Sequence, residues 1–316
     1  MKTPTSPLFC PICGRILPQQ AKPHGAHPYC CKGLFGVDRM PTFRPGPQWK
    51  DHLRPLSGSS YVIPLRQDPR KKILEPSDGT HTRFLLKIPT LENRYQANKR
   101  TETEWMTMLL ARIFGIPALH GTLTTLPTGY KGYIMPRLDR GSLSRGSRPI
   151  HIETLSQTFL WQNHEEASSI VARGNAIQKI SACPKMDSID FLLRGIFSFL
   201  FSVPACSPQK LILKETGTGN GMKLAPAYGL RIVPENQEAL LDDYVSLFFN
   251  RRTYLSFSKG LRLECGMAVR LLERTLSRKE RLLQVFRTIP LREMCEERRY
   301  LSELTEQRFR MLKALV

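Results

Sequence analysis

The sequence of 316 residues has no long hydrophobic run. Its most apolar stretch, residues 189–203, contains Asp190 and Arg194 and is too short to cross the roughly 30 Å of hydrocarbon in a bilayer. Residues 1–11 are polar and interrupted by prolines, whereas a secretory signal peptide has an apolar core. These features predict a cytoplasmic protein with no membrane partner, in which residues 189–203 form a buried helix.

Acidic residues are few, with 27 Asp and Glu against 47 Lys and Arg, so the formal net charge is +20. A charge of this size favours anionic partners such as phosphate groups and nucleic acids. The basic clusters 70–72, 251–252 and 278–279 are far apart in the sequence, and no recognition-helix or base-stacking pattern accompanies them. Nucleic acid is therefore a secondary candidate partner. Hydrophobic residues make up 41% of the chain, which predicts packed cores rather than disorder.

Cysteine is distributed unevenly, since four of the eight cysteines lie in the first 31 residues, which is a poor disulfide framework. Cys10 and Cys13 form one closely spaced pair, and His27 and Cys30 form a second pair with the same spacing. Two such pairs offer four ligands for a tetrahedral structural Zn²⁺ site. Cys31 is an alternative to Cys30 as the fourth ligand. The alternative to the whole site is a set of free cysteines in a reducing cytosol.

The chain beyond these cysteines changes from a strand-like to a helical pattern. Thr101 and Glu104 have the spacing of a capping box, which predicts a helix beginning at Thr101, and Gly115 predicts its end. After residue 150 the pattern is helical, apart from one hairpin predicted at 211–225. The other predicted elements are strands at 61–65, 81–88, 121–126 and 130–137, a polar turn at 68–79 and a charged amphipathic helix at 295–316.

Several short segments follow one another in a distinctive order along the chain. After the cysteine pairs come Pro55-Leu-Ser57-Gly58, which is like a phosphate loop, and Phe84-Leu-Leu-Lys87, which is like a strand that carries an ATP-binding lysine. Farther along lie Arg137-Leu-Asp139-Arg140 and Leu224-Ala-Pro-Ala-Tyr228. Over nearly the whole chain, this order resembles the HipA family of serine/threonine kinase toxins, in particular its members with an N-terminal Cys/His knuckle.

The resemblance implies an α+β fold of the two-lobed HipA and protein-kinase type, with a β-rich N-lobe and a mainly helical C-lobe. We place a small Cys/His knuckle at residues 1–40 and a Pro-rich linker with the phosphate-loop-like segment at 41–60. The N-lobe is expected at 61–145 and the C-lobe, with its embedded hairpin, at 146–316. Asp139 and Arg140 are expected to form a structural ion pair.

The positions at which the family carries its catalytic groups are altered in this sequence. Phosphoryl transfer needs bound metal ions and a carboxylate that accepts the proton of the attacking hydroxyl. By the resemblance, the catalytic-base position falls on Ala205, and the two metal-binding positions fall on Lys210 and Gly229. None of these side chains can accept a proton or bind Mg²⁺. We therefore expect no ordinary Mg²⁺ site, and the chain is expected to be inactive in phosphate transfer.

Candidate nucleotide-binding residues remain, which leaves ATP as a candidate ligand. Lys87 can hold phosphate as a point charge, and Ser57 and Gly58 can present backbone N–H groups to an anion. Lys87 has the alternative of being a solvated lysine at a strand edge. Lys210 has two interpretations: its charge replaces that of a metal ion and permits metal-free nucleotide binding, or it is a loop residue without a role.

Three functions are consistent with these residues. The first is a HipA-like pseudokinase that acts by binding a nucleotide, a protein partner or both, and the resemblance implies an antitoxin-like partner. The second is an active serine/threonine kinase toxin whose acidic residues have moved. The third is a zinc-containing basic adaptor that binds nucleic acid.

Overall fold

The computed structural model divides the chain into two compact units, named here the sheet unit and the helical unit. The sheet unit comprises Met1–Leu109, His120–Arg145 and Ile289–Met294, and the helical unit comprises Leu110–Leu119, Gly146–Thr288 and Cys295–Val316. The structure describes residues 9–18, 25–46, 49–56, 60–78, 82–89, 93–140, 149–160, 169–216, 221–233, 242–248, 250–289 and 295–316.

A largely antiparallel sheet forms the framework of the sheet unit. Its strands are β1 (Thr42–Phe43), β2 (Arg54–Leu56), β3 (Ser60–Asp68), β4 (Ile73–Pro76), β5 (Phe84–Pro89), β6 (Thr122–Thr125) and β7 (Lys131–Pro136). They run in the order β1-β4-β3-β5-β7-β6, with β2 also paired to β3, and the β1–β4 pair is parallel. Ile63 and Leu65 alternate with more exposed residues on β3 and are fully buried, as expected for a strand with one face on a core.

The described part of the sheet unit also contains helix α1 (Pro28–Phe35), a short 3-10 helix (Trp49–His52) and most of helix α2 (Arg94–Phe114). The predicted start of α2 at Thr101 is wrong, because the helix begins seven residues earlier. Asn93 caps it, and its side-chain oxygen accepts from the backbone N–H of Tyr95 at 2.9 Å. Thr101 lies inside the helix, where its hydroxyl donates to the carbonyl of Ala97 at 3.1 Å. A threonine followed three residues later by a glutamate can therefore also occur inside a helix, where the threonine hydroxyl bonds a carbonyl of the preceding turn.

The predicted polar turn at 68–79 is only partly correct, because it contains strand β4. Asp68 accepts hydrogen bonds from the backbone N–H groups of Arg70 and Lys71, both at 3.0 Å, and so closes a tight turn. Ile73 and Leu74 follow and are buried against the sheet. Two apolar residues within a charged segment are too short a signal to predict a strand.

The helical unit combines a helix assembly with a small antiparallel sheet of order β10-β9-β8. The predicted hairpin is confirmed as β9 paired with β10. The elements are β8 (Ile152–Thr154), α3 (Leu155–Leu160), α4 (Ile170–Ile180), α5 (Pro184–Phe201), β9 (Ile212–Glu215), β10 (Met222–Leu224), α6 (Asp242–Leu247), α7 (Arg251–Gly260), α8 (Cys265–Leu276), α9 (Lys279–Thr288) and α10 (Cys295–Lys313).

The most apolar stretch of the sequence forms helix α5, which confirms the predicted buried helix. Its two central charges are paired, since Nη2 of the fully buried Arg194 donates to Oδ2 of Asp190 at 2.7 Å. In the described part of the chain, no helix is both long enough and apolar enough to cross a membrane. With β-rich and helical units in the predicted order, the expected α+β fold class is confirmed.

Candidate functional site

Four potential metal ligands from two separate segments meet near the N-terminus. The donor atoms of Cys10, Cys13, His27 and Cys30 all lie within 4.8 Å of one another. The first pair is held by a tight turn in which the N–H of Gly14 donates to the carbonyl of Cys10 at 2.8 Å. Gly14 has a φ of +70°, a left-handed conformation that glycine adopts at little cost.

The second pair lies at the beginning of helix α1. His27 is the residue before the first helical turn, Cys30 lies within that turn, and Pro28 occupies the first helical position. The imidazole Nδ1 of His27 is 3.4 Å from Sγ of Cys13, so the two segments are in contact.

The structure distinguishes Cys30 from Cys31, which the sequence left open. Cys30 joins the cluster of potential ligands and Cys31 does not, although both cysteines are buried in the hydrophobic core of the sheet unit. Burial raises the pKa of the Cys31 thiol to about 11, with the charge of Cys30 adding to the effect. Membership of the cluster, and not burial, therefore identifies Cys30 as the fourth candidate ligand.

The thiols of the cluster change one another's acidity. A hydrogen bond from Cys10 lowers the pKa of Cys13 to about 4, although burial opposes the shift. The same hydrogen bond, together with burial, raises the pKa of Cys10 above its ordinary range. Burial raises the pKa of Cys30, and the charge of Cys13 adds to the effect. Three thiols and one imidazole in this geometry can hold a metal ion, since a divalent cation stabilises thiolates, including those of Cys10 and Cys30 that burial disfavours.

The cluster belongs to a segment, named here the metal module (residues 9–18 and 25–46), that packs into the sheet unit. Trp105 of α2 donates from Nε1 to the carbonyl of Pro11 at 2.6 Å. The rings of Phe35 and Phe84 lie 5.1 Å apart between centroids. A Cβ added to Gly14 would lie 2.5 Å from Cδ2 of Leu109, so the turn has no room for a side chain there. The module therefore shares one hydrophobic core with the sheet.

Lys87 lies on β5, between β3 and β7, and is not a solvated lysine at a strand edge. Its Nζ donates to Oε2 of Glu104 on α2 at 2.7 Å, and the two side chains are only 15% and 6% exposed. This pairing of a strand lysine with a helix glutamate has the arrangement that protein kinases use to orient their ATP lysine. Sequence analysis assigned Glu104 to a capping box and so missed this partner. Its neighbour Glu102 forms a second buried ion pair, with Lys131 of β7.

The expected ion pair between Asp139 and Arg140 is wrong, since Asp139 pairs with Arg137. The guanidinium of Arg137 donates to both carboxylate oxygens, at 2.9 and 2.6 Å, and its third contact is the hydroxyl of Thr82 at 2.7 Å. This two-pronged geometry matches a planar guanidinium to a carboxylate. Burial opposes ionisation of Asp139, but the bonds and charge of Arg137 outweigh it and lower the pKa.

The positions to which the resemblance assigns catalytic and metal-binding roles lie in the helical unit. Ala205 is fully buried, and its N–H donates to the hydroxyl of Ser198 at 3.1 Å. The next residue, Cys206, is also fully buried, and burial raises the pKa of its thiol to about 12. This part of the loop therefore presents neither a carboxylate nor a reactive thiolate.

The structure brings Lys210 and Gly229 together. Nζ of Lys210 donates to the carbonyl oxygen of Gly229 at 2.8 Å and lies 5.8 Å from the ring centroid of Tyr228. Gly229 has a φ of +58°, a conformation that favours glycine. A cation thus contacts the backbone at the second position where the resemblance implies a metal ligand.

Helix α5 holds the segment that leads to Gly229. Arg194 donates from Nη2 to the carbonyl of Ala225 at 2.7 Å, and Oδ2 of Asp187 accepts from the N–H of Leu224 at 2.7 Å. Sequence analysis missed both side chains as positioning residues, and two charged residues within an apolar helix were the available signal. Ser57 and Gly58, the other candidate nucleotide-binding residues, lie outside the described residues.

Comparison with known proteins supports the fold through structure alone. No protein-family model matches the sequence, and no curated protein matches it either. A HipA chain is similar in structure, with a TM-score of 0.56 and 15% sequence identity, and comes from the solved complex of HipA, HipB and operator DNA of the Shewanella oneidensis MR-1 toxin–antitoxin system. The similarity covers 83% of this chain and 65% of the HipA chain, so this chain spans less than two thirds of its length. The protein thus has a HipA-like fold, with a β-sheet part, a helical part and a Cys/His cluster near its N-terminus.

Proposed function

We propose that this protein is a pseudokinase that binds a nucleotide without transferring its phosphate. The observation that carries the proposal is the hydrogen bond from Lys210 to the carbonyl of Gly229. These are the two positions where the family resemblance implies metal ligands, and neither side chain can bind Mg²⁺. Because metal ions neutralise the charge that develops on the transferred phosphate, a chain without them lacks the usual basis for transfer.

Loss of the catalytic base supports the same proposal. Ala205 stands at the base position and is buried beside the hydroxyl of Ser198. An alanine can neither accept the proton of an attacking hydroxyl nor orient that hydroxyl. Transfer would need a carboxylate from elsewhere, which is the alternative of an active kinase with moved acidic residues.

Two cations, Lys87 and Lys210, support retained nucleotide binding. Lys87 is oriented by its buried pair with Glu104, which fixes the ammonium that would neutralise phosphate oxygens. Lys210 is held by the Gly229 carbonyl and the Tyr228 ring, so its positive charge has a fixed position. In the proposal, this charge supplies part of what a metal ion supplies in an active kinase.

We also propose that Cys10, Cys13, His27 and Cys30 hold a structural Zn²⁺ ion. Three thiolates and one imidazole are a common ligand set for tetrahedral zinc, and a site closed by four protein ligands has no open position for catalysis. The ion would fix the metal module on the sheet core. A protein partner of the antitoxin type is part of the proposal, because the similar HipA chain was solved in complex with HipB.

The proposal is tested by measuring ATP binding and phosphate transfer on the same preparations. We expect the protein to bind ATP and to transfer no radiolabelled phosphate. Lys87→Met and Lys210→Met should each weaken ATP binding by about 10- to 100-fold, the usual value of a hydrogen bond to a charged group. Lys223→Met removes an exposed lysine of β10 and is the matched control, which should bind ATP normally. Transfer of label that Lys87→Met abolishes would instead establish the active kinase.

A further inference from the structure

The metal module carries an exposed aromatic ring in a fixed orientation. Tyr29 lies in the first turn of α1, and 59% of its surface is accessible to solvent. Its ring stacks on the imidazole of His27, with centroids 5.2 Å apart and an interplanar angle of 24°. Its hydroxyl lies 3.9 Å from Sγ of Cys13, so the ring is placed directly beside the ligand cluster. An exposed ring held by stacking adds little to the core, yet it is ready to stack on a planar partner.

A second exposed apolar side chain and two cations belong to the same module. Ile16, which is 59% exposed, follows the first ligand pair and is bridged to Phe9. Arg15 precedes it, is exposed, and bonds Cys10 through its carbonyl. Lys32 is exposed and lies three residues after Tyr29 on α1, a spacing that places both on one helix face. The module thus combines an exposed ring with nearby positive charge.

The charge balance of this part of the chain selects an anionic partner. Residues 1–46 contain one acidic residue, Asp38. Asp38 forms an ion pair with Lys72, so its charge is already matched. The basic residues of the same stretch are Lys2, Arg15, Lys22, Lys32, Arg39 and Arg44.

We propose that this face of the metal module binds single-stranded nucleic acid. A nucleobase stacks on Tyr29, while Lys32 and Arg15 contact the flanking phosphates. A single strand is the fitting form, because its bases are free to stack on an aromatic side chain, whereas those of a duplex are already stacked on each other. The proposal goes beyond nucleotide binding at the kinase-like residues and does not depend on it.

The test measures binding of a fluorescently labelled 15-nucleotide polyuridine strand to the full-length, zinc-loaded protein by anisotropy. Tyr29→Ala should weaken binding by about 5- to 100-fold, the usual contribution of one stacked base. Tyr29→Trp should bind at least as tightly as the unaltered protein, because it keeps a stacking surface. Tyr95→Ala removes a tyrosine that is 53% exposed on α2 and is the matched control, with unchanged binding expected.

The phosphate contacts are tested by salt dependence. Lys32→Gln and Arg15→Gln should each reduce the slope of log affinity against log salt concentration by about 0.7, the contribution of one phosphate contact on a single strand. Lys313→Gln, at an exposed position near the end of α10, should leave the slope unchanged.

Three results would overturn the proposal: polyuridine binding unaffected by Tyr29→Ala, equal affinity for the corresponding duplex, or no measurable binding at low salt. If Tyr29→Ala also loses zinc, the charge reversal Lys32→Glu decides, since it should weaken binding while zinc is retained. ATP affinity measured on Tyr29→Ala should be normal, so failure here is distinguishable from failure of the pseudokinase proposal.

Discussion

Replacement of Cys30 by serine is expected to abolish stoichiometric zinc binding and to lower the free energy of unfolding by about 3–5 kcal/mol. Structural zinc contributes on the order of 10 kcal/mol of apparent binding free energy in small zinc domains, and the remaining ligands recover only part of it. For a protein of this size, such a loss lowers the thermal midpoint by roughly 5–8 °C. Metal analysis and thermal unfolding of Cys30→Ser, with and without added zinc, measure both effects.

The neighbouring cysteine provides a matched control for this experiment. Cys31→Ala, in the same helix turn, should retain one zinc ion per chain, because Cys31 lies in the core and outside the cluster. It should lose only about 1 kcal/mol for a small cavity. If Cys31→Ala lost zinc while Cys30→Ser retained it, the fourth ligand would be Cys31, and the assignment of Cys30 would be wrong. Zinc-free protein with the same midpoint as zinc-loaded protein would contradict a structural role for the ion.

Substitution of the buried Arg194 by methionine should cost about 3–5 kcal/mol of stability, because it leaves the Asp190 carboxylate buried without its partner. It also removes the donor to the carbonyl of Ala225, which helps to hold the segment leading to Gly229. Denaturant unfolding of Arg194→Met measures the loss. A loss below about 1 kcal/mol would show that the buried pair does not form.

The pH dependence of the same variant identifies the unpaired carboxylate as the cause. Burial raises the pKa of Asp190 even though the charge of Arg194 opposes the shift. Removing Arg194 raises that pKa further, so the folded state binds the proton more tightly than the unfolded state. A carboxyl group whose pKa is raised in the folded state costs stability above that pKa, and the cost disappears as the pH falls through that pKa towards the unfolded value of about 3.9. The deficit of Arg194→Met should therefore shrink as the pH is lowered from neutral towards about 4.

A double variant separates the charge from the packing. Asp190→Leu combined with Arg194→Met replaces the pair by apolar side chains, which is commonly close to neutral for a buried ion pair. We expect the double variant to recover at least half of the stability lost in Arg194→Met. Recovery of none would mean that the donor to Ala225, rather than the unpaired Asp190, accounts for the loss.

The candidate metal cluster could be predicted from the sequence because the two ligands of each pair lie close together in the chain. Each ligand pair is spaced by two residues, so the spacing alone restricts both pairs to short turns. The choice between Cys30 and Cys31 could not be made in this way, because it depends on how helix α1 begins. Helix α1 begins at Pro28, directly after His27, and this start places Cys30 in the ligand cluster and leaves Cys31 outside it.

The contacts of the kinase-like residues were less predictable because they join distant parts of the chain. The sequence identified Lys87, Lys210 and Gly229 only by their order and resemblance. The contact between Lys210 and Gly229 spans 19 residues, and that between Lys87 and Glu104 spans 17. The local pattern was misleading at Glu104, because its spacing from Thr101 resembles a capping box while its side chain forms a buried ion pair with Lys87. The residue that caps this helix is Asn93.

The fold class could be predicted from the change between strand-like and helical patterns along the chain, whereas short elements could not be predicted. Strand β4 has only four residues, and only Ile73 and Leu74 are buried, so its signal was weaker than that of the charged turn before it. The predicted boundaries of the knuckle, linker and lobes remain predictions.

The affinity for ATP in EDTA and in excess Mg²⁺, measured by titration calorimetry, tests most directly whether the Lys210 ammonium takes the place of the metal. We expect ATP to bind in EDTA and Mg²⁺ to change the affinity by less than about threefold. Lys210→Asn supplies an amide oxygen in place of the cation and should weaken metal-free binding by at least about tenfold. Binding that requires Mg²⁺, or metal-free binding that is indifferent to Lys210→Asn, would contradict the proposed role of Lys210.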